Sequence, residues 1–360
     1  MLNRAGGAGN TVSMHEIRHL ILRVNGIRIH AAECGEGPLV LLVHGFPELW
    51  YSWRHQLPAL AAAGFRAVAI DQRGYGMSSK LWDPAAYRIG ELVSDVRAVV
   101  GALGERKAVI VGHDWGAPVA WTAAWLHPDT FRAVAGVSVP FGGRALVPLP
   151  GSPFGEVRPS EIHRRIAGEG RDFYQDYFAT LGPVIREIEE DVRGWLRDAV
   201  YSFSGEPPLP RELMDLAAKD PVGAIRLSPA CIPHGKRMRD SFLTPERMPE
   251  WFTERDLDFF ASEFERTGFA GGLSYYRSIE ASWEELEPMT GKPLTVPALF
   301  IGAERDVATM WGAEAIARAA EHMPRYAGTL IIPGCGHWIQ QERPQETNRA
   351  LIDFLHGLDG

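Results

Sequence analysis

AVIVGHDWGAPVAW, residues 108–121, reads as a buried strand that runs into a helix through Gly112-His113-Asp114-Trp115-Gly116. Apolar Ala108–Val111 leads into a turn flanked by glycines, and small residues, Gly116, Ala117 and Ala120, open the helical stretch behind it. Glycine has no Cβ, so a helix can cross a strand closely at such a turn. G-x-nucleophile-x-G is the pattern of a strained elbow that presents a reactive side chain at a strand end. Here Asp114 holds the nucleophile position. Taken alone, the same letters also fit an ordinary strand-to-helix turn with Asp114 as its N-cap, so the rest of the chain has to decide.

Outward from the elbow, short continuous apolar runs recur at Leu39–Val43, Ala67–Ile70, Ala133–Val139, Ala298–Ile301 and Thr329–Ile332, as in strands covered on both faces. Helical stretches lie between them, at Trp53–Ala63, Ile89–Leu103, Pro118–Trp125 and Ala313–Glu321. This alternation predicts an α/β domain with a mostly parallel sheet flanked by helices. Two further strands within Ile17–Glu33 meet at Asn25-Gly26, a hairpin turn that predicts an antiparallel sheet edge. The alternation stops near Pro140 and resumes near Pro297. A structureless loop of that length is implausible, so the intervening chain is expected to form an inserted, mainly helical cap. The expected division is a lead-in over 1–13, a core formed by 14–141 with 291–360, and a cap over 142–290.

Composition narrows the function classes. The 360 residues carry 37 Lys+Arg against 45 Asp+Glu, a net charge of −8, which is not the footprint of a nucleic-acid binder. No run of apolar residues is long enough for a membrane span, and the Gly-rich N-terminus has no signal-peptide core. Cys34, Cys231 and Cys335 show no paired spacing, which argues against disulfides and thiolate metal sites and fits a reducing cytoplasm. Neither a dinucleotide fingerprint nor a P-loop nor H-E-x-x-H occurs, so no cofactor and no metal is expected. A neutral small molecule is the expected partner, and a homodimer is compatible with this reading.

An aspartate at the elbow changes the reaction. A serine must lose a proton before it attacks an acyl carbon, whereas a carboxylate is ionised at neutral pH and can displace at a saturated carbon. The resulting alkyl ester then needs a water-activating base and an oxyanion hole. His337, in Gly336-His337-Trp338 after the last strand, is the candidate base, and Asp306, after Ala298–Ile301, is the candidate acid that orients it; Glu304 is its rival. Nucleophile, acid and histidine follow one another in the chain order of this elbow architecture. Ser138–Gly143 offers no carboxylate as an alternative acid. His44-Gly45-Phe46-Pro47 follows another strand, and the backbone N–H groups of Phe46 and Trp115 are the expected oxyanion donors.

HGFPELWYSWRHQ (44–56), DQRGYGMSS (71–79), GHDWGAPVAW (112–121) and CGHWIQQERP (335–344) together resemble the epoxide hydrolases of the α/β-hydrolase fold, over nearly the whole chain and most closely the bacterial members with a long cap. The resemblance implies hydrolysis of an epoxide to a vicinal diol, with two cap tyrosines holding the epoxide oxygen. Tyr174 and Tyr276 match those positions. From spacing alone, Tyr174, Tyr177 and Phe178 could equally form a core stripe, and only one of Tyr275 and Tyr276 can reach a pocket. Phe46, Pro47, Trp50, Trp115, Trp338 and Gln175 are expected to line the substrate pocket. Two alternatives remain at this stage: a haloalkane dehalogenase using the same aspartate, with Trp115 as a halide donor, and a ligand-binding protein with little turnover.

Overall fold

The computed structural model describes residues 16–208, 216 and 219–359. The expected lead-in, 1–13, lies outside these residues. Eight strands form one sheet: β1 (Arg18–Val24), β2 (Ile27–Cys34), β3 (Leu39–Val43), β4 (Arg66–Ile70), β5 (Ala108–His113), β6 (Phe131–Val137), β9 (Ala298–Ala303) and β10 (Tyr326–Ile332). Their order is β1-β2-β4-β3-β5-β6-β9-β10. The β1–β2 and β2–β4 pairs are antiparallel, and every other pair is parallel. Asn25 and Gly26 both take positive φ, 48° and 75°, as the hairpin turn requires.

Period-two alternation along the central strands divides the core in two. Leu41 and Val43 of β3 join one apolar cluster, with residues of α2 (Ile89–Ala102) and α3 (Gly116–Leu126). Val40 and Leu42 join the other, with α1 (Gln56–Ala62) and the C-terminal helix Pro344–His356. Both faces are therefore dry, which is why the strands read as continuous apolar runs. The expected helix over Ala313–Glu321 is instead two short pieces, Ala313–Ala317 and Ala319–His322.

The sheet order reverses at β3. The chain crosses from β3 to β4 on one side and returns to place β5 on the other, so a crevice opens beyond the C-terminal ends of β3 and β5. His44–Pro47 and Asp114 emerge into that crevice. Between β6 and β9 the chain makes its excursion over it, through α4 (Pro159–Ala167), α5 (Tyr174–Ala179), α6 (Gly182–Glu189), α7 (Val192–Ser202) and the helices Pro221–Leu227, Glu254–Thr267, Ala270–Arg277 and Ile279–Glu285. It also contains a small two-stranded antiparallel sheet, β7 (Arg171–Phe173) with β8 (Cys231–Pro233), which the sequence did not announce. Three-residue strands are too short for alternation to register.

Two glycines set how closely helix α3 crosses the sheet. A Cβ at Gly112 would lie 1.9 Å from the Gly116 carbonyl oxygen, and one at Gly116 would lie 2.0 Å from that of Val43. Both neighbours are main chain, so neither can step aside. Gly116→Ala is expected to cost more than about 1 kcal/mol, the scale of overpacking a close-packed interior, and to lower the thermal unfolding midpoint; an unchanged midpoint would show that this crossing has slack.

Candidate active site

Asp114 sits at the turn between β5 and α3 with φ of 49°, a left-handed conformation that few residues other than glycine adopt. Such local strain persists only where the surroundings over-determine it, and here they do. The Phe46 N–H donates to Asp114 Oδ1 at 2.7 Å, and Gly45 is so near that a Cβ there would fall 2.2 Å from the same oxygen. The Phe46–Pro47 peptide is cis. The expected oxyanion turn is thus already closed on the carboxylate.

His337 faces that carboxylate from the loop after β10. Its Nε2 lies 3.6 Å from Asp114 Oδ2, and its Nδ1 lies 2.9 Å from Asp306 Oδ1. Asp306 follows β9 as N-cap of the short helix Val307–Trp311 and is wholly buried. Its Oδ1 accepts from Ala308 N, and its Oδ2 accepts from Thr309 N, Thr309 Oγ1 and Ser138 Oγ. Burial alone would raise the Asp306 carboxyl, but the adjoining His337 and these hydrogen bonds hold it below the usual range. Burial likewise disfavours a charged His337, yet the negative charges of Asp306 and Asp114 override it and carry the imidazole well above its ordinary value. Glu304, the rival acid, is exposed and accepts from Gly334 N instead.

Two supports were not legible in the sequence. Ser138, at φ of 72° just after β6, places its Oγ 2.8 Å from Asp306 Oδ2 and 3.0 Å from His337 Nδ1. The segment 138–143 therefore supplies a hydroxyl rather than an acid. Glu48, buried beneath the oxyanion turn, accepts from Gly45 N at 2.9 Å and lies 2.6 Å from His113 Nδ1. His113 in turn reaches the His337 carbonyl oxygen at 2.8 Å through Nε2. Burial would raise the Glu48 carboxyl, but His113 and the Gly45 N–H draw it down to about 2. The signal was present in His44-Gly45-Phe46-Pro47-Glu48, where an acid three residues after Gly45 can close the turn on that residue's N–H.

Above the carboxylate lie the cap phenols. Tyr174 and Tyr276 have ring centroids 6.1 Å apart, and Tyr276 packs edge-on against Trp115 at 5.3 Å and Phe46 at 5.7 Å. Gln175 Nε2 donates to the Tyr174 hydroxyl oxygen at 2.9 Å. The Tyr174 oxygen thus accepts one N–H and keeps its own O–H free to donate onward. Burial first, and then the Asp114 charge, push both phenols well above their ordinary value and keep them protonated. The neighbouring tyrosines do other work. Tyr275 donates to the Arg73 carbonyl oxygen in the core, and Tyr177 donates to Glu187 within the cap.

Asp114, His337, Tyr174 and Tyr276 open into one cavity whose remaining wall is apolar or aromatic, including Phe46, Pro47, Trp115, Phe178, Trp195, Met238, Trp311 and Trp338. Two pocket expectations need correction. Gln175 does not line this cavity but stands behind Tyr174 as its donor. Trp50 packs against His19, His30, Tyr51 and Phe259, away from the site. Among the described residues, no group of three or more His, Cys, Asp or Glu could hold a metal ion, and no helix is long and apolar enough to cross a membrane.

Comparison with known proteins is consistent along the chain. A family model described as alpha/beta hydrolase fold matches residues 38–180. The chain is 57% identical to Epoxide hydrolase B of Mycobacterium tuberculosis over 350 residues, covering 94% of this chain and 98% of the relative. Among solved structures, an epoxide hydrolase from an endophytic Streptomyces superposes with a TM-score of 0.86 at 46% identity, covering 95% of this chain and 96% of the other. Epoxide Hydrolase A from Mycobacterium thermoresistibile gives a TM-score of 0.83 at 38% identity, covering 95% and 99%.

The electrostatics of His337 can be tested directly. Asp114 is one of the two anions that raise its pKa, so neutralising it removes part of that pull while burial remains. Asp114→Asn is expected to lower the pKa of His337, read by NMR titration of labelled imidazoles with a His337→Gln sample to assign the signal. An unmoved or raised value would mean that Asp114 exerts no field on the ring.

Proposed function

The chain belongs to the epoxide hydrolases of the α/β-hydrolase fold, and we propose that it converts an epoxide to a vicinal diol through a covalent ester on Asp114. The observation that carries this reading is a carboxylate held by the Phe46 N–H on one oxygen, with a paired base behind it and two donating phenols sharing its cavity.

Because Asp114 Oδ1 is engaged by Phe46, Oδ2 is the attacking atom. It forms a bond to one ring carbon of the epoxide, and that carbon's bond to the ring oxygen breaks. The electron pair leaves on the oxygen, which takes its stabilising hydrogen bonds and a proton from Tyr174 and Tyr276. The ester's carbonyl oxygen is then Oδ1, already in place before the Phe46 N–H. Esterification also removes the Asp114 charge, so His337 loses one of the two anions that favour its protonated form, releases its proton to restore the phenol, and becomes able to accept another. Oriented by Asp306, it takes a proton from water, whose oxygen attacks the carbonyl carbon of Asp114. The oxyanion forms against the Phe46 and Trp115 N–H groups. The ester bond then breaks, the departing diol oxygen takes the attacking water's second proton, and Asp114 is restored as the carboxylate beside a protonated His337.

Residues 142–290 act as the cap over a core of 14–141 and 291–360, and close the reaction off from solvent. The cavity has no charged side chain other than Asp114 and His337, which favours uncharged, apolar epoxides. Dehalogenation is disfavoured because Tyr174 and Tyr276, for which a halide has no use, share the cavity with Asp114. A binding role without turnover leaves the nucleophile, the base and its acid without a purpose.

Incubation with a panel of aromatic and aliphatic epoxides is expected to yield diol, and Asp114→Ala to abolish it. His337→Gln is expected to stop after the first step, so that intact mass rises by one substrate. Halide release from haloalkanes without diol from any epoxide, or no mass increase in His337→Gln with a substrate the wild type hydrolyses, would overturn the assignment.

A further inference from the structure

A second buried carboxylate, absent from the reaction derived above, joins the cap to the loop that bears His337. Glu342 ends the short helix Ile339–Glu342 and faces three main-chain N–H groups. Its Oε2 accepts from Gly336 N at 3.0 Å and from Gly205 N at 2.8 Å, and its Oε1 accepts from Trp338 N at 3.0 Å. Gly336 and Trp338 flank His337 on either side. Gly205 belongs to the cap, just beyond α7.

The same two segments are bonded again around this point. His337 N donates to the Phe203 carbonyl oxygen at 2.8 Å, and Trp338 Nε1 donates to that of Val200 at 2.8 Å. The guanidinium of Arg305, the residue before Asp306, donates to the carbonyl oxygens of Gly205 and Pro207. The backbones themselves touch: a Cβ at Gly336 would lie 2.2 Å from the Ser204 carbonyl carbon, and one at Gly205 would lie 2.5 Å from the Gly334 carbonyl oxygen. A carboxylate withdrawn from water is costly unless its oxygens are satisfied, and here the donors that satisfy it are the peptide groups framing the catalytic base. Ser138 and Asp306 fix the imidazole ring, whereas Glu342 fixes the backbone from which that ring projects.

We propose that Glu342 is a positioning residue for His337, acting through a latch with cap residues Val200–Pro207, so that hydrolysis of the ester depends on the seating of the cap. This rests on the two-step reading above. Ring opening uses Asp114 and the two phenols, while only the second step needs a base, so a loosened latch slows the second step alone.

The test follows both steps by rapid mixing with styrene oxide and intact-mass detection of the ester, in the wild type, Glu342→Ala and Glu342→Gln. Ester formation is expected to keep its wild-type rate. Ester decay is expected to slow by roughly tenfold or more in Glu342→Ala, the scale of a misplaced catalytic group. In the near-isosteric Glu342→Gln, where an amide N–H would face the Trp338 N–H, it is expected to slow less. In steady state kcat and KM fall together while kcat/KM holds. Equal slowing of both steps, or no change in either in the folded Glu342→Gln protein, would overturn the latch. A wild type that forms diol without any ester would overturn the two-step reading, and the latch with it.

Discussion

One imidazole stands between two carboxylates, all three largely withdrawn from solvent, and the surrounding structure is arranged to hold those charges there. Asp306 is wholly buried and accepts hydrogen bonds from Ala308, Thr309 and Ser138 as well as facing His337. A buried charge is tolerated only when it is paired and its lone pairs are used, and Ser138 and His337 come to Asp306 from parts of the chain remote from it and from each other. The sheet order brings them together. With β6 between β5 and β9, the C-terminal ends of three adjacent strands deliver Asp114, Ser138 and Asp306 to one spot, and the loop after β10 lays His337 across them. The glycines at 112 and 116 follow from the same demand, because Asp114 reaches the spot only if helix α3 starts hard against β3 and β5.

The cap completes the site by contributing what the core lacks. A core carboxylate can attack, but the alkoxide that forms needs a proton donor from the opposite side. Tyr174 and Tyr276 remain phenols because they are buried near an anion, and Gln175 occupies the Tyr174 oxygen so that its proton is free to donate. The pair therefore donates where charge develops, and the epoxide hydrolase reading depends on that polarity more than on the tyrosines' proximity to the nucleophile. Cap and core are joined by hydrogen bonds where the loop bearing His337 is framed.

Much of this was legible in the sequence, and the reasons differ from part to part. The inner strands β3, β4, β5, β6 and β9 read correctly because both faces are covered, so a continuous apolar run marks each one, whereas the β1–β2 edge was marked by its Asn25-Gly26 turn. The elbow was readable because its glycines are forced by contacts with main chain, and His337 and Asp306 because their chain order follows from the architecture. What could not be read depends on contacts between segments far apart in the chain. Ser138 looks like any serine after a strand until Asp306 and His337 arrive beside it. The Tyr174–Tyr177–Phe178 face looked like a core stripe, and packing divides it: Tyr177 turns to Glu187, while Tyr174 and Phe178 face the cavity. Gln175 and Trp50 were expected in the pocket wall from proximity in sequence. One acts from behind Tyr174, and the other packs on β1 and β2 histidines.

The central claim is that water never attacks the epoxide itself, but only the ester carbonyl of Asp114. A single turnover in ¹⁸O-labelled water, with enzyme in excess over epoxide, separates the two routes by mass. If the account holds, the first diol released carries no label, and the peptide containing Asp114 gains one ¹⁸O. Label in the diol of the first turnover, with Asp114 unchanged, would show that water opens the ring directly and would contradict it.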